Sequence, residues 1–221
     1  MTRMKVLVTG ANGFIGKNLC LHLQEQDLEV VKFIHEMPVS DLINKLEGVS
    51  FIFHLAGVNR PKEVNEFFVG NKTFTEGLCD SIRACGRPIP VIYTSSIQAE
   101  INNPYGVSKL DAENALIALE RDTGSPVYLF RLPNVFGKWS QPNYNSVVAT
   151  FCYNIANELP IQINDPSSVL HLVYIDDVVK HFIRLLQEQP SGVLRPIVSP
   201  AFTLTVGELA QQIILFNKSR E

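Results

Sequence analysis

The stretch Met4-Lys-Val-Leu-Val-Thr-Gly10-Ala-Asn12-Gly13-Phe14-Ile15-Gly16 decides the fold, and Lys17-Asn-Leu-Cys-Leu-His-Leu-Gln-Glu continues it. Val6, Leu7 and Val8 make a short apolar strand of the kind a parallel sheet buries on both faces. From Ile15 the apolar residues return at Leu19 and Leu23, the helical period. The glycines therefore fall in a strand-to-helix turn, the setting a dinucleotide-binding fingerprint requires. Gly10 permits the tight turn, Gly13 lets a pyrophosphate approach the backbone, and Gly16 lets helix pack on strand. Unpaired N–H groups at the helix start, among Asn12, Phe14 and Ile15, would receive phosphate. A glycine-rich turn can also be a plain connection; the flanking strand and helix favour the binding reading.

Outward from this turn, strands are expected near Lys5–Thr9, Glu29–Phe33, Phe51–Leu55, Val91–Thr94 and Val127–Leu132. Helices are expected near Phe14–Glu25, Ser40–Leu46, Glu63–Cys85, Tyr105–Arg121 and Ser146–Ala156. A strand at Leu172–Ile175, an aspartate-capped helix at Asp176–Leu186 and a helix at Val206–Phe216 follow. The alternation implies an α/β, Rossmann-type, doubly wound parallel sheet with right-handed crossovers. Ligands bind such sheets beyond the carboxyl ends of the strands, where Gly10, Ala56, Ser96 and Arg131 all fall. Residues 1–221 read as a single domain. Its first part, to about residue 135, is the dinucleotide-binding core, and about 136–221 form a small, mainly substrate-binding C-terminal portion.

Tyr105 and Lys109 stand four apart in Asn-Pro-Tyr-Gly-Val-Ser-Lys, which one helical turn stacks on the same face. An ammonium beside a phenol favours the phenolate and lowers its pKa towards a useful range. Ser96 adds a hydroxyl at the end of the preceding strand, and three such groups can polarise a carbonyl. By itself the pair could equally be two residues on a helix surface.

The chain has a net charge of −3 and is 46% hydrophobic, enough to bury a full core. No basic stripe offers a footprint for nucleic acid, and no uncharged apolar stretch approaches the ~20 residues of a membrane span. Cys20, Cys79, Cys85 and Cys152 lack metal spacing and read as buried or semi-buried thiols in a reducing, cytoplasmic setting. The five histidines show no clustered ligand spacing, so no metal is expected.

Taken together these motifs resemble the extended, nucleotide-sugar-modifying branch of the short-chain dehydrogenase/reductase superfamily, the NAD-dependent epimerase/dehydratase family. The resemblance covers essentially the whole chain. It implies that Leu55, Ala56 and Gly57, within His54-Leu-Ala-Gly, pass the cofactor, and that Asn71 is structural. It implies a catalytic set of Ser96, Tyr105 and Lys109, with the last two also contacting cofactor. Arg131-Leu-Pro133-Asn134-Val-Phe-Gly137 matches the segment at the substrate-site mouth, with Arg131 and Pro133 towards cofactor. Tyr174-Ile-Asp176-Asp177-Val178 matches a late element of the branch, where Asp177 is read as structural.

His54-Leu-Ala-Gly-Val-Asn-Arg-Pro61 and Phe136-Gly-Lys-Trp with Pro142-Asn-Tyr-Asn-Ser-Val look narrower still. They are similar to the N-terminal reductase domain of the bifunctional capsular-polysaccharide and O-antigen reductases. Those act on UDP-2-acetamido-2,6-dideoxy-4-hexulose and carry a C-terminal zinc-bearing cupin domain. The chain runs to Glu221 without a cupin segment; either it is a truncation, with a cupin domain covalently attached or supplied separately, or it is a stand-alone relative. Asn134, Lys138, Asn143, Asn145 and Ser146 are the expected substrate-binding residues, although Trp139 and Tyr144 could make this stretch a loop covering a core edge.

Four departures from the wider branch matter. The carboxylate expected ~20 residues after the glycines is replaced by Ile34-His35, which favours NADPH over NADH. His35 would face the 2′-phosphate, or is an ordinary surface histidine. The short span from His35 to Phe51 leaves the usual third strand shortened or lost. The Ser96–Tyr105 gap is nine residues, and Leu170 stands where the branch often has an arginine. The narrower group is similar to this chain in the first two respects and in the arginine's absence.

The expected reaction is NADPH-dependent reduction of the 4-keto group of a UDP-linked 4-keto-6-deoxy amino sugar, by a homodimer. A 4-epimerase or 4,6-dehydratase with tightly bound NAD shares the same three groups. A non-catalytic NADPH-sensing scaffold would share the fold.

Overall fold

The computed structural model describes residues 3–219. The chain runs through β1 (Lys5–Thr9), α1 (Phe14–Glu25), β2 (Glu29–Phe33), a short α2 (Leu42–Lys45) and β3 (Val49–His54). One helical turn, α3 (Asn65–Phe67), passes through wide π-type turns at Phe68–Thr73 into α4 (Phe74–Ala84). Then come β4 (Val91–Ser96), α5 (Pro104–Thr123), β5 (Val127–Leu132), β6 (Asn134–Phe136) and α6 (Val147–Ala156). β7 (Val169–Tyr174), α7 (Ile175–Glu188), β8 (Val193–Leu194), β9 (Ala201–Thr205) and α8 (Val206–Lys218) complete the chain.

Two compact units result. The first runs to Leu132 and takes back Val179–Ile197; the second is Pro133–Val178 with the chain from Val198 onward. The division is not serial, because most of α7 and β8 return to the first unit.

The first unit carries a six-stranded sheet in the order β2-β1-β3-β4-β5-β8, parallel throughout. The order reverses between β1 and β3, and there a doubly wound sheet opens its ligand crevice. β2 is an edge strand: only a 3-10 turn and α2 lie between it and β3, so the usual third strand is absent among the described residues. Val6, Leu7, Val8, Ile52, Phe53, Val91, Ile92, Leu129 and Phe130 are fully buried, as strands covered on both faces require.

The second unit holds a three-stranded sheet, β6-β7-β9, parallel between β6 and β7 and antiparallel between β7 and β9. Phe151, Leu209 and Ala210 centre its apolar cluster, against which Leu170 packs. Leu170, in place of the branch's arginine, is therefore part of a core.

Two expectations need correction. α7 begins at Ile175, so Asp176 is not its cap; Asp176 and Asp177 lie in its first turn, where carboxylates complement the helix dipole. Cys152 is exposed, whereas Cys20 and Cys79 are buried; all four cysteines are free. Among the described residues no helix is long and apolar enough to cross a membrane, and no group of three or more His, Cys, Asp or Glu could hold a metal.

Candidate active site

The glycine turn joins β1 to α1 as its spacing dictates. Gly10 has φ +66°, the left-handed region that favours glycine, and a side chain there would meet the Ala56 backbone nitrogen at 2.8 Å. A side chain at Gly16 would run into the Gly10 carbonyl oxygen. Gly13 caps α1 without any side-chain hydrogen bond, and no acidic residue sits in the first turn. The leading N–H groups of α1 are thus left to an anion, and Asn12 and Gly13 are exposed beside them. This cradle fits the pyrophosphate of a dinucleotide. Phe14 and Ile15 are half-buried, and the Gly10 N–H donates to the Phe33 carbonyl at 3.0 Å, tying the end of β2 to the turn. His35 is exposed just beyond that end.

A directional polar chain fixes the end of β3. Thr75 donates its hydroxyl to the Asn71 carbonyl (2.6 Å), so it accepts from His54 Nε2–H (2.8 Å). His54 Nδ1 then accepts from the Thr9 hydroxyl (2.8 Å), and Thr9 Oγ1 accepts from the N–H groups of Leu55 and Ala56. Burial, with the Lys109 charge adding to it, lowers the His54 pKa to about 3, so the imidazole is neutral. Asn71 sits in the π-type turns, a distortion that sequence periodicity does not reveal. Its side chain pairs with both backbone groups of Val58 (2.8 and 3.0 Å) and donates to Ser108 on α5 (2.9 Å). Gly57 lies under this clamp: a side chain there would meet Asn71 Oδ1 at 2.8 Å and Lys109 Nζ at 3.3 Å.

The nine-residue step from Ser96 to Tyr105 closes through local caps. Ser96 Oγ accepts from the Gln98 N–H, opening a 3-10 turn at Ile97–Glu100. Asn103 caps α5 by accepting from the Gly106 N–H (2.8 Å), and Pro104 occupies the first turn. Gly106 lets the loop lie on the helix: a side chain there would strike the Gln98 and Ile101 carbonyl oxygens.

Ser96 and Tyr105 are brought into hydrogen-bond contact. Lys109, one turn further along α5, is buried, with Nζ 4.5 Å from the centroid of the Tyr93 ring. Burial lowers the Lys109 pKa to about 7, with the Glu113 carboxylate opposing the shift. The expected lowering of the Tyr105 phenol by Lys109 does not occur. Burial raises its pKa, and only the Ser96 hydrogen bond acts against the rise. The physical reason is desolvation: it penalises the phenolate directly, and it weakens the ammonium that was to stabilise it.

Arg131 makes contacts within the protein that the sequence does not announce. Its guanidinium grips the fully buried Glu113 at 2.9 Å (Nε to Oε1) and 2.7 Å (Nη2 to Oε2), and reaches Glu100 at 2.7 Å. Ser95 donates to the same Glu113. Arg131 therefore locks β4, α5 and β5 together. Glu113 was not singled out in the sequence. The available signal is an acidic residue one turn beyond Lys109, flanked by Ala112 and Leu116.

In the second unit, Pro133 and Asn134 open the segment, and Asn134 Nδ2 makes a long hydrogen bond (3.4 Å) to the His171 carbonyl. Lys138 Nζ lies 3.8 Å from Asp176 and 5.6 Å from the Trp139 ring. Trp139 is 52% exposed, so it does not cover a core edge. Asn143 (φ +56°) and Asn145 are exposed in the loop before α6. The Ser146 hydroxyl caps α6 by accepting from the Ala149 N–H (3.2 Å).

A model of the NAD dependent epimerase/dehydratase family matches residues 6–197. The chain belongs to this family. It is 55% identical over 219 residues to a Pseudomonas aeruginosa protein named UDP-2-acetamido-2,6-beta-L-arabino-hexul-4-ose reductase. The match takes in 99% of this chain and 59% of that one. The capsular polysaccharide assembling protein CapF of Staphylococcus aureus superposes with a TM-score of 0.87 at 40% identity, over 98% of this chain and 59% of that chain. The chain thus spans under two thirds of the length of these relatives. MoeE5, solved with UDP-glucose and NAD, shares the fold at a TM-score of 0.87 and 22% identity, over 97% of this chain and 82% of that one.

Proposed function

We propose that the chain is a nucleotide-sugar 4-keto reductase, using NADPH to reduce C4 of a UDP-2-acetamido-2,6-dideoxy-hexulose for capsule or O-antigen synthesis. The observation that carries this reading is the Ser96–Tyr105–Lys109 set beside an open phosphate cradle, in a chain 55% identical to a relative named as such a reductase. A nicotinamide cofactor, when bound, supplies the hydride that reaches C4. The raised pKa of Tyr105 keeps it protonated, which suits an acid that donates to the C4 oxygen as charge builds there. Ser96 donates a hydrogen bond to the same oxygen. Lys109 orients the ribose hydroxyls and, when charged, stabilises the phenolate that Tyr105 leaves behind. Asn134, Lys138, Asn143 and Asn145 hold the UDP-sugar, with Ser146 fixing the loop. Leu55, Ala56, Gly57 and Pro133 line the cofactor path.

NADPH preference rests on His35 in place of a carboxylate; the exposed Glu36 that follows it pulls the other way. The reading includes a cytoplasmic homodimer built on α4 and α5, and a cupin domain on the same or a separate chain. NADPH oxidation with a panel of UDP-4-keto-6-deoxy sugars, with and without a separately supplied cupin domain, tests it. One NADPH consumed per sugar reduced is expected, faster than with NADH. Turnover on catalytic amounts of cofactor would instead identify an epimerase or dehydratase, and cofactor binding without turnover a scaffold.

A further inference from the structure

Tyr93 lies within β4, fully buried, three residues before Ser96. Its phenol is pushed well above the ordinary value by burial, so the ring stays neutral. Two groups meet this ring. Lys109 Nζ lies 4.5 Å from its centroid, and the His54 imidazole stacks on it at 5.1 Å with 28° between the planes. His54 cannot turn away, because Thr9 and Thr75 hold its two nitrogens. The ring is therefore pinned, and Lys109 rests on a surface whose position is set from the glycine turn.

Among the described residues, the titratable groups that act on Lys109 are Glu113 on its own helix, His54 at the end of β3, and Tyr93 on β4. His54 is neutral and gives the ammonium no charge to pair with. Glu113 acts on Lys109 from one turn away, but its oxygens are already engaged by Arg131 and Ser95. An ammonium taken out of water needs another source of negative potential, and the face of an aromatic ring supplies it. We propose that Tyr93 is a positioning residue for Lys109, its ring holding the ammonium by a cation–π contact in the protonated form that the reaction uses. The relevance to turnover rests on the reductase reading above; the contact itself does not.

The test changes the electron density of the ring's face first and removes the ring last. Tyr93→Phe, the same position with 3,4,5-trifluorophenylalanine, and Tyr93→Leu would be compared with the native protein. Lys109 would be titrated by NMR of its ε-carbon, assigned with Lys109→Met, and kcat/KM for NADPH oxidation followed over the same pH range. Phenylalanine is expected to restore the native midpoint, since it keeps the electron-rich face. The trifluorinated ring should lower the midpoint by about half to one pH unit, and leucine by at least as much. The alkaline limb of kcat/KM should move with it to lower pH. A purely structural ring would change the unfolding midpoint and leave the titration in place. An identical Lys109 midpoint in all four proteins would overturn the proposal. If leucine does not fold, the phenylalanine pair decides alone. A moved midpoint without NADPH oxidation in the native protein would sink the reductase reading and leave the positioning role standing.

Discussion

The two units hold their polar groups in opposite ways. In the first, Thr9, His54, Asn71, Thr75, Ser95, Ser108 and Glu113 are buried, and each has a partner with a definite donor or acceptor role. In the second, Asn134, Lys138, Asn143 and Asn145 are exposed, in strands and loops fixed by local caps. A buried network fails as a whole when one member is lost, whereas an exposed side chain can be exchanged at little cost to the fold. On the proposed reading, the contrast separates proton transfer, which needs groups fixed before substrate arrives, from recognition, which tolerates change.

The largest effect expected is on chemistry alone. Tyr105→Phe removes the proton donor while keeping the ring that packs 5.5 Å from Phe67. Turnover should fall by about 10²–10⁴-fold with NADPH affinity within a few-fold of native, read by steady-state kinetics and by fluorescence titration. Unchanged turnover would remove Tyr105 from the reaction.

Breaking the buried network should cost the fold next. Glu113→Ala strands Arg131 and Ser95 and unlinks three elements, so denaturant unfolding should show a loss of about 3–5 kcal/mol. An Asn134→Ala change of the same chemical size, at an exposed position in the second unit, should stay within about 0.5 kcal/mol.

That asymmetry also explains what the sequence made legible. The glycine turn, the alternation of strands and helices, and the placing of Tyr105 and Lys109 on one helix face follow from spacing and period, which are local. Glu113 did not, because a carboxylate on an apolar helix face means nothing until Arg131 on another strand is known to meet it. The Arg131–Glu113 pair was not legible for the same reason, since its partners lie 18 residues apart on different elements. The sign of the Tyr105 shift was missed because burial, a tertiary quantity, outweighed the neighbouring charge. The capping role of Ser146 was legible but not read, since a serine just before a helix is a cap by position.

A third prediction concerns the tension inside the buried network itself. Lys109 has a pKa of about 7 in the fold against an ordinary value of 10.5. Between those values the unfolded chain holds a proton that the folded chain lacks, so stability rises with pH across this window. Below about pH 7 both states are protonated and the cost of the buried ammonium is present in full. Lys109→Met should therefore be more stable than native by roughly 2–3 kcal/mol at pH 6, with the difference vanishing near pH 10.5. Thermal or denaturant unfolding over this range checks both sign and window, and a difference independent of pH would show that the lysine is not held against its charge.

The smallest effects sharpen the comparison most, because they separate two neighbours in one loop. Ser146 caps α6, so Ser146→Ala should lower stability by about 1 kcal/mol and raise KM only through a looser loop. Asn145 is exposed, so Asn145→Ala should leave unfolding unchanged while raising KM for the UDP-sugar several-fold at constant kcat. Measuring both variants by unfolding and by kinetics places each residue on one side of the divide. Were Ser146→Ala to raise KM with no loss of stability, its hydroxyl would be a substrate contact after all, and the second unit would share the first unit's way of fixing its polar groups.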